Sequence, residues 1–207
     1  MIRPGPARRG IVSGVVVLAA AGAIIGLMLH RSATQPSAVV LPDYGALPGF
    51  LLTDHRRQPI SLEQLSGSVW IANFIFTRCA GQCPMMSAQL AALQRSLTDA
   101  PDVQFVSFTV DPEHDTPETL ADYATHYAAN AHRWRLVTGP KEALYALARA
   151  GFRLGVGEDG SAVEPITHSV RFVLVDRAGR IRGYYDATDA EAMRRLEQDA
   201  RRLLAVL

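Results

Sequence analysis

Cysteine is nearly absent from this 207-residue chain: there are two, Cys79 and Cys83, separated by three residues. That scarcity argues against a disulfide framework stapling the fold, because a bridge closing so short a loop removes little entropy from the unfolded chain. No cysteine follows the apolar run near the N-terminus, which excludes a lipid-modified N-terminus there. An excess of one charge is missing too. Lys and Arg number 21 against 20 Asp and Glu, and no basic stripe stands out to suggest a nucleic-acid partner. Internal repeats are absent, as is any low-complexity tract beyond one short Ser/Ala/Pro-rich stretch. What remains is 48% hydrophobic and 20% charged, an ordinary balance for one globular domain with some apolar residues to spare.

The spare apolar residues have an address. From Ile11 to Leu29 the chain reads IVSGVVVLAAAGAIIGLML without a charge, close to the roughly 20 residues a helix needs to cross a bilayer core of about 30 Å. Arg3, Arg8 and Arg9 precede the run, and only Arg31 follows it directly, so the positive-inside rule keeps the N-terminus in the cytoplasm. The expected organisation is a cytoplasmic N-terminus over 1–10, a transmembrane anchor over 11–30, a linker over 31–48 and a folded domain over 49–207. A cleaved signal peptide is the competing reading, but its apolar region is usually about 7–15 residues and ends at a small-residue site. On either reading the domain is exported. With the anchor kept, the protein is expected at the inner (cell) membrane as a single-pass protein whose domain faces the periplasm or exterior. The exported part holds all 20 acidic residues and all but three of the basic ones, a slight negative balance.

Beyond the linker, apolar runs alternate with helical patterns. Val69–Thr77 and Val103–Val110 are β-branched and aromatic, as buried strands are. Between them, Met86, Leu90, Leu93 and Leu97 lie at the spacing of one helix face, beginning near Pro84. A helix is expected from Pro117 to about Tyr127, capped by Asp115 or Thr116. Trp134–Gly139 reads as a strand, and Pro140 to Gly151 as a helix. His168–Asp176 and Gly179–Asp186 read as a hairpin turning at Arg177-Ala178-Gly179, and a last helix runs from about Asp189 to Leu204. The order βαβαβαββα predicts an α/β layer structure with a mixed sheet.

The chemistry is concentrated in Cys79-Ala80-Gly81-Gln82-Cys83-Pro84, where the first long strand gives way to a helix. A helix N-terminus carries partial positive charge, which favours thiolate, the form that attacks disulfides and binds metal. Two thiolates suit linear Cu(I), and a site holding both Cu(I) and Cu(II) wants a third donor, usually imidazole. His168 is the best candidate, because it heads a buried strand whose end approaches the same rim of the sheet. Spacing alone leaves alternatives open: a C-x-x-x-C pair in an exported protein also fits a plain redox disulfide, and a His before a strand is more often structural. Met85 and Met86 are soft donors by type, yet two methionines opening an amphipathic helix more often pack. His30, His55, His126 and His132 lack a partner cysteine and read as structural or surface residues, while His114 reads as a solvated loop residue.

Four blocks, taken in order, resemble the Sco/SenC family: FIFTRCAGQCP (Phe74–Pro84), TVDPEHDTPETL (Thr109–Leu120), WRLVTG (Trp134–Gly139) and THSVRFVLVDRAGRI (Thr167–Ile181). The resemblance implies a thioredoxin-like fold with helices flanking a mixed sheet, preceded by a single N-terminal transmembrane helix. It implies copper, as Cu(I) or Cu(II), bound by Cys79, Cys83 and His168. It also implies delivery of that copper to the binuclear centre in subunit II of cytochrome c oxidase or a similar client, or reduction of the client's thiols. Asp111 resembles the family's acidic position near the site, with a role in partner docking. The chain departs from the family's common pattern at Ala80-Gly81, Thr167 and Met85-Met86. The leading expectation is thus a metallochaperone without turnover. The alternative is an enzyme, a thiol–disulfide oxidoreductase in which Cys79 and Cys83 are the redox pair. A peroxidase ranks below both, since Phe76-Thr77-Arg78-Cys79 lacks the proline of that motif.

Overall fold

Strands whose residues are apolar on both faces need cover on both faces, and this requirement organises the domain. The computed structural model describes residues 40–157 and 166–205. Its centre is β3 (Val69–Ile75), every residue of which is buried. Beside it run β4 (Val103–Thr109) and β5 (Trp134–Thr138), both parallel to β3 in direction. On the other flank β8 (Arg171–Val175) pairs antiparallel to β3, and β9 (Ile181–Asp186) pairs antiparallel to β8. Two short strands, β1 (Leu51–Asp54) and β2 (Pro59–Ser61), extend the sheet past β5, giving the order β2-β1-β5-β4-β3-β8-β9. A separate pair, β6 (Val156–Gly157) and β7 (Thr167–His168), lies outside it. The mixed sheet flanked by helices is the expected α/β, thioredoxin-like class; β1, β2 and β6 are additions to the pattern read from sequence, and the strand expected over His168–Asp176 is split, with His168 in β7 and β8 beginning at Arg171.

The helices are α1 (Leu62–Leu65), α2 (Gln82–Ser96), α3 (Pro117–His126), α4 (Lys141–Ala146) and α5 (Ala190–Ala205). A π-helical turn, Leu147–Gly151, continues α4 and delivers Phe152 to the core. There Phe152 meets Phe74 edge-on at 5.3 Å, and Phe74 stacks on Phe108 at the same centroid distance. Side chains alternate across a strand, so Asn73, next to Phe74, faces the opposite side. Ser107 donates to Asn73 at 2.7 Å there and accepts the Trp134 indole N–H at 2.9 Å. Residues 44–47 lie along the start of β9: the Tyr44 and Ile181 amides donate to Ile181 and Gly45 carbonyls, each at 2.9 Å, and Leu47 is buried.

Local signals account for the helix starts. Thr116 caps α3 by accepting from the Thr119 amide, with Pro117 in the first turn, as expected. In α1, Ser61 and Gln64 form a reciprocal capping box. The expected start of α2 at Pro84 moves to Gln82, so Cys83 sits inside the first turn. Proline is tolerated there because first-turn amides have no partner within the helix. Gly179, with φ +70°, turns the β8–β9 hairpin, and Asp176 braces that turn by accepting the Ala178 and Arg180 amides.

The membrane expectations are corrected. Among the described residues no helix is long and apolar enough to cross a membrane. The longest, α5, has 16 residues and alternates buried Ala192, Leu196 and Ala200 with Glu191, Arg194, Glu197 and Arg201. At about 1.5 Å per residue it falls short of a bilayer core of about 30 Å, and its charged face belongs in water. The run Ile11–Leu29, on which the anchor over 11–30 was expected, lies outside the described residues. The transmembrane helix, the single-pass placement at the inner membrane and the membrane as a partner are accordingly not carried further.

Candidate metal centre

Three parallel strands end at one rim, and the antiparallel partner of β3 begins there. Trp70 stands opposite Val175 and Ala72 opposite Val173, so tracing β8 backwards returns the chain to the C-terminal end of β3. This is how His168, 85 residues from Cys83 in sequence, reaches the cysteine loop. Its Nε2 lies 3.0 Å from the Cys83 sulfur. The sulfurs of Cys79 and Cys83 and one imidazole nitrogen of His168 all lie within 4.8 Å of one another. Cys83 is fully buried and Cys79 is 8% exposed.

Each donor is aimed by its surroundings. The Cys79 amide donates to the Phe76 carbonyl at 3.3 Å, curling the loop as it leaves β3. The Cys83 amide, in the first turn of α2, points at the Cys79 sulfur from 3.4 Å. The His168 Nδ1 is 3.2 Å from the Ser169 carbonyl. A carbonyl only accepts, so Nδ1 carries the hydrogen and Nε2 presents its lone pair to the sulfurs. The Phe76 ring meets the imidazole edge-on, 5.8 Å between centroids at 86°, and fixes its plane. Two soft sulfurs and one imidazole, converging within a few ångströms, fit a thiophilic first-row ion and fit no hard cation.

Behind the loop stand two aspartates with different roles. Asp111 accepts from Arg78 Nε and Nη2 at 3.1 and 2.7 Å, and its other oxygen lies 2.9 Å from His114 Nδ1. Burial pushes its acid up, but the bonds from His114 and Arg78 outweigh burial and leave it below the usual carboxylate range. The side chain expected at a docking surface is therefore turned inward and occupied, and Arg78 and His114 are the exposed members of the cluster. Asp115 is wholly buried and accepts from Thr77 and Thr109; burial holds its acid above the usual range in spite of those bonds. Below Cys83, one helical turn on, Ser87 hydrogen-bonds the Tyr123 hydroxyl at 2.8 Å. Burial raises the Tyr123 hydroxyl above its ordinary range in spite of the Ser87 bond.

Other sequence candidates fall outside the cluster. Met86 is fully buried in the core and Met85 packs against it. His55 is buried, accepts the Leu136 amide at 3.2 Å, and burial depresses its basicity. His126 lies edge-on to Tyr127, and His132 is exposed. His30 lies outside the described residues. Sequence reasoning missed Phe76, the Ser169 carbonyl and the Thr77–Asp115 contact. The last of these left one trace, a threonine two residues ahead of the first cysteine.

The architecture and the cluster agree with known proteins. The SCO1/SenC family model matches residues 44–205. A SCO1 protein homolog of Bacillus subtilis is 33% identical over 142 residues, covering 68% of this chain and 73% of its own. Among solved structures, a SCO1/SenC family lipoprotein from Bacillus anthracis superposes with a TM-score of 0.72 at 31% identity, covering 77% of this chain and 95% of its own. BsSco, a member of the Sco family of cytochrome c oxidase assembly proteins in which a disulfide switch was identified, gives 0.72 at 28% identity, covering 81% and 97%. With residues 44–205 matched around the cysteine pair and its distant histidine, this chain belongs to the SCO1/SenC family.

Proposed function

We propose that this protein binds copper through Cys79, Cys83 and His168 and hands it to a copper-receiving client of the cytochrome c oxidase type. The observation that carries the reading is the 3.0 Å approach of His168 Nε2 to the Cys83 sulfur, with Cys79 in the same cluster. A pair used only for dithiol exchange has no need of an aimed imidazole lone pair. Thiolates bind the soft Cu(I) ion, and imidazole adds the donor that Cu(II) prefers. Oxidation of the pair to a disulfide removes both thiolate ligands, so loading requires the reduced form. Membership in a family that includes an oxidase assembly protein supports the choice of client.

Copper is cargo in this scheme, and the chain's own groups do the work. The Cys83 amide holds the Cys79 sulfur in place, the Ser169 carbonyl holds the proton on Nδ1, and Phe76 keeps the ring in place. Anaerobic titration with Cu(I) should load one ion per chain in competition with bicinchoninate. Absence of competitive Cu(I) binding by the reduced protein refutes the proposal. One observation favours a second reading, thiol–disulfide exchange with a client: the Cys83 amide directed at the Cys79 sulfur suits an attacking thiolate as well as a ligand. Client assembly in cells carrying only His168→Ala separates the two readings, because exchange does not use the imidazole.

A further inference from the structure

Asp115 has no part in the proposed ligation, yet it is the most expensively placed side chain near the site. It is wholly buried and satisfied by neutral donors: the Thr77 amide at 3.2 Å, the Thr77 hydroxyl and the Thr109 hydroxyl. A carboxylate held without a cation costs more to bury than a neutral acceptor. Helix capping does not explain it, because Thr116 caps α3. What Asp115 does is join elements. Thr109 ends β4, and its hydroxyl also accepts the Asp111 amide at 2.9 Å. Asp111 in turn grips Arg78. Thr77 and Arg78, the two residues ahead of Cys79, are therefore both tied to the segment between β4 and α3.

We propose that Asp115 is a positioning residue for the metal site: through Thr77 it clamps the start of the cysteine loop to the end of β4, holding the Cys79 sulfur near Cys83 and His168 before any ion arrives. The proposal rests on the Cys–Cys–His reading above. A loop so held loses little backbone freedom on loading, and preorganised donors bind more tightly than donors that must first be ordered.

The test uses Thr77→Val, which removes the hydroxyl at nearly constant shape, Thr77→Ser, which keeps it, and Asp115→Asn. Each is titrated with Cu(I) against bicinchoninate, equilibrated with reduced and oxidised glutathione, and melted. Thr77→Val and Asp115→Asn should bind Cu(I) about tenfold more weakly, in the range that loss of a group supporting metal ligands produces, while Thr77→Ser binds as the unaltered protein does. The dithiol–disulfide equilibrium should shift in the same two variants and not in Thr77→Ser. If melting temperature falls while Cu(I) affinity and the glutathione equilibrium stay unchanged, Asp115 serves stability alone and the proposal is overturned. Should Asp115→Asn fail to fold, Thr77→Val decides. Failure of the unaltered protein to bind Cu(I) defeats the copper reading; the clamp is then judged on the glutathione equilibrium, where an unshifted Thr77→Val overturns it.

Discussion

Replacing His168 by Ala removes three things at once: the lone pair 3.0 Å from the Cys83 sulfur, the Nδ1–H at the Ser169 carbonyl, and the edge contact with Phe76. The two polar contacts are each worth about 1 kcal/mol net, and the ring contact adds about 0.5–1.5 kcal/mol. Because His168 is only half-buried, the lower end of the ring contribution applies, and a loss of about 2.5 kcal/mol is expected. For a domain of this size that lowers the melting temperature by roughly 5 °C, so the variant stays folded at 25 °C and its metal binding is interpretable. Cys79 and Cys83 remain and can hold Cu(I) linearly, so Cu(I) affinity should fall by less than about tenfold. Cu(II) loses its only nitrogen donor and should fall at least about tenfold further, a difference of about 1.4 kcal/mol. Competition with bicinchoninate reads the first ion. Thiolate charge-transfer absorption and electron paramagnetic resonance read the second. If both ions are retained as in the unaltered protein, His168 is not a ligand and the three-donor reasoning fails.

Cys79→Ser and Cys83→Ser should each abolish competitive Cu(I) binding, because a hydroxyl is a poor ligand for a soft ion; either variant holding Cu(I) against bicinchoninate would remove that sulfur from the site. Ser107→Ala strands the Trp134 indole N–H and the Asn73 oxygen in the core, so urea denaturation should show a loss of about 3 kcal/mol, and a loss under about 1 kcal/mol means the network is dispensable. Asp111 has a folded pKa below its ordinary 3.8, so its contribution is complete above pH 3.8 and is lost as pH falls through the lower folded value. Asp111→Asn should accordingly lose less stability than the unaltered protein between pH 5 and the acid limit, measured by urea midpoints across pH; parallel curves would refute the assignment.

The strands that could be read in advance were those whose burial leaves a continuous apolar run. β3 and β4 are covered on both faces, and their sequences show it; β5, β8 and β9 are flanked by the glycine and proline punctuation that marks strand ends. β1 and β2 have four and three residues with polar members among them, too few for a period of two to register. The π-helical turn at Leu147–Gly151 has the composition of an ordinary helix end. At the site, the cysteine pair was visible as a local motif, but His168 was not determined by spacing. Only its place at the head of an apolar strand, and the family resemblance of the surrounding block, pointed to it. Asp115 could be read as a turn or cap residue, because nothing in DPEHDTP says which aspartate turns inward. Tertiary packing decides that: β4 and β3 end side by side, so a residue after β4 can reach Thr77 after β3. The apolar run Ile11–Leu29 shows the converse, a strong linear signal whose expected helix falls outside the described residues.

Below and above, the cysteine–histidine cluster is held differently. Underneath, Thr77 and Arg78 are tied to Asp115 and Asp111, Cys83 is locked into the first turn of α2, and His168 is pinned by a carbonyl and a phenyl ring. Above, Ala80, Gly81 and Gln82 are exposed between the two cysteines, and none carries a charge. On the proposed copper reading, an incoming thiolate or imidazole would approach over this uncharged, exposed loop and join the ion before the resident donors release it. Transfer through such a shared intermediate never strands the ion in water, where a tightly bound soft cation leaves slowly. Bulk introduced in this loop should therefore slow hand-over without changing affinity. Ala80→Leu is expected to keep the Cu(I) competition curve while lowering the rate of transfer to a small thiol acceptor such as dithiothreitol, and an unchanged rate would show that the acceptor approaches from elsewhere.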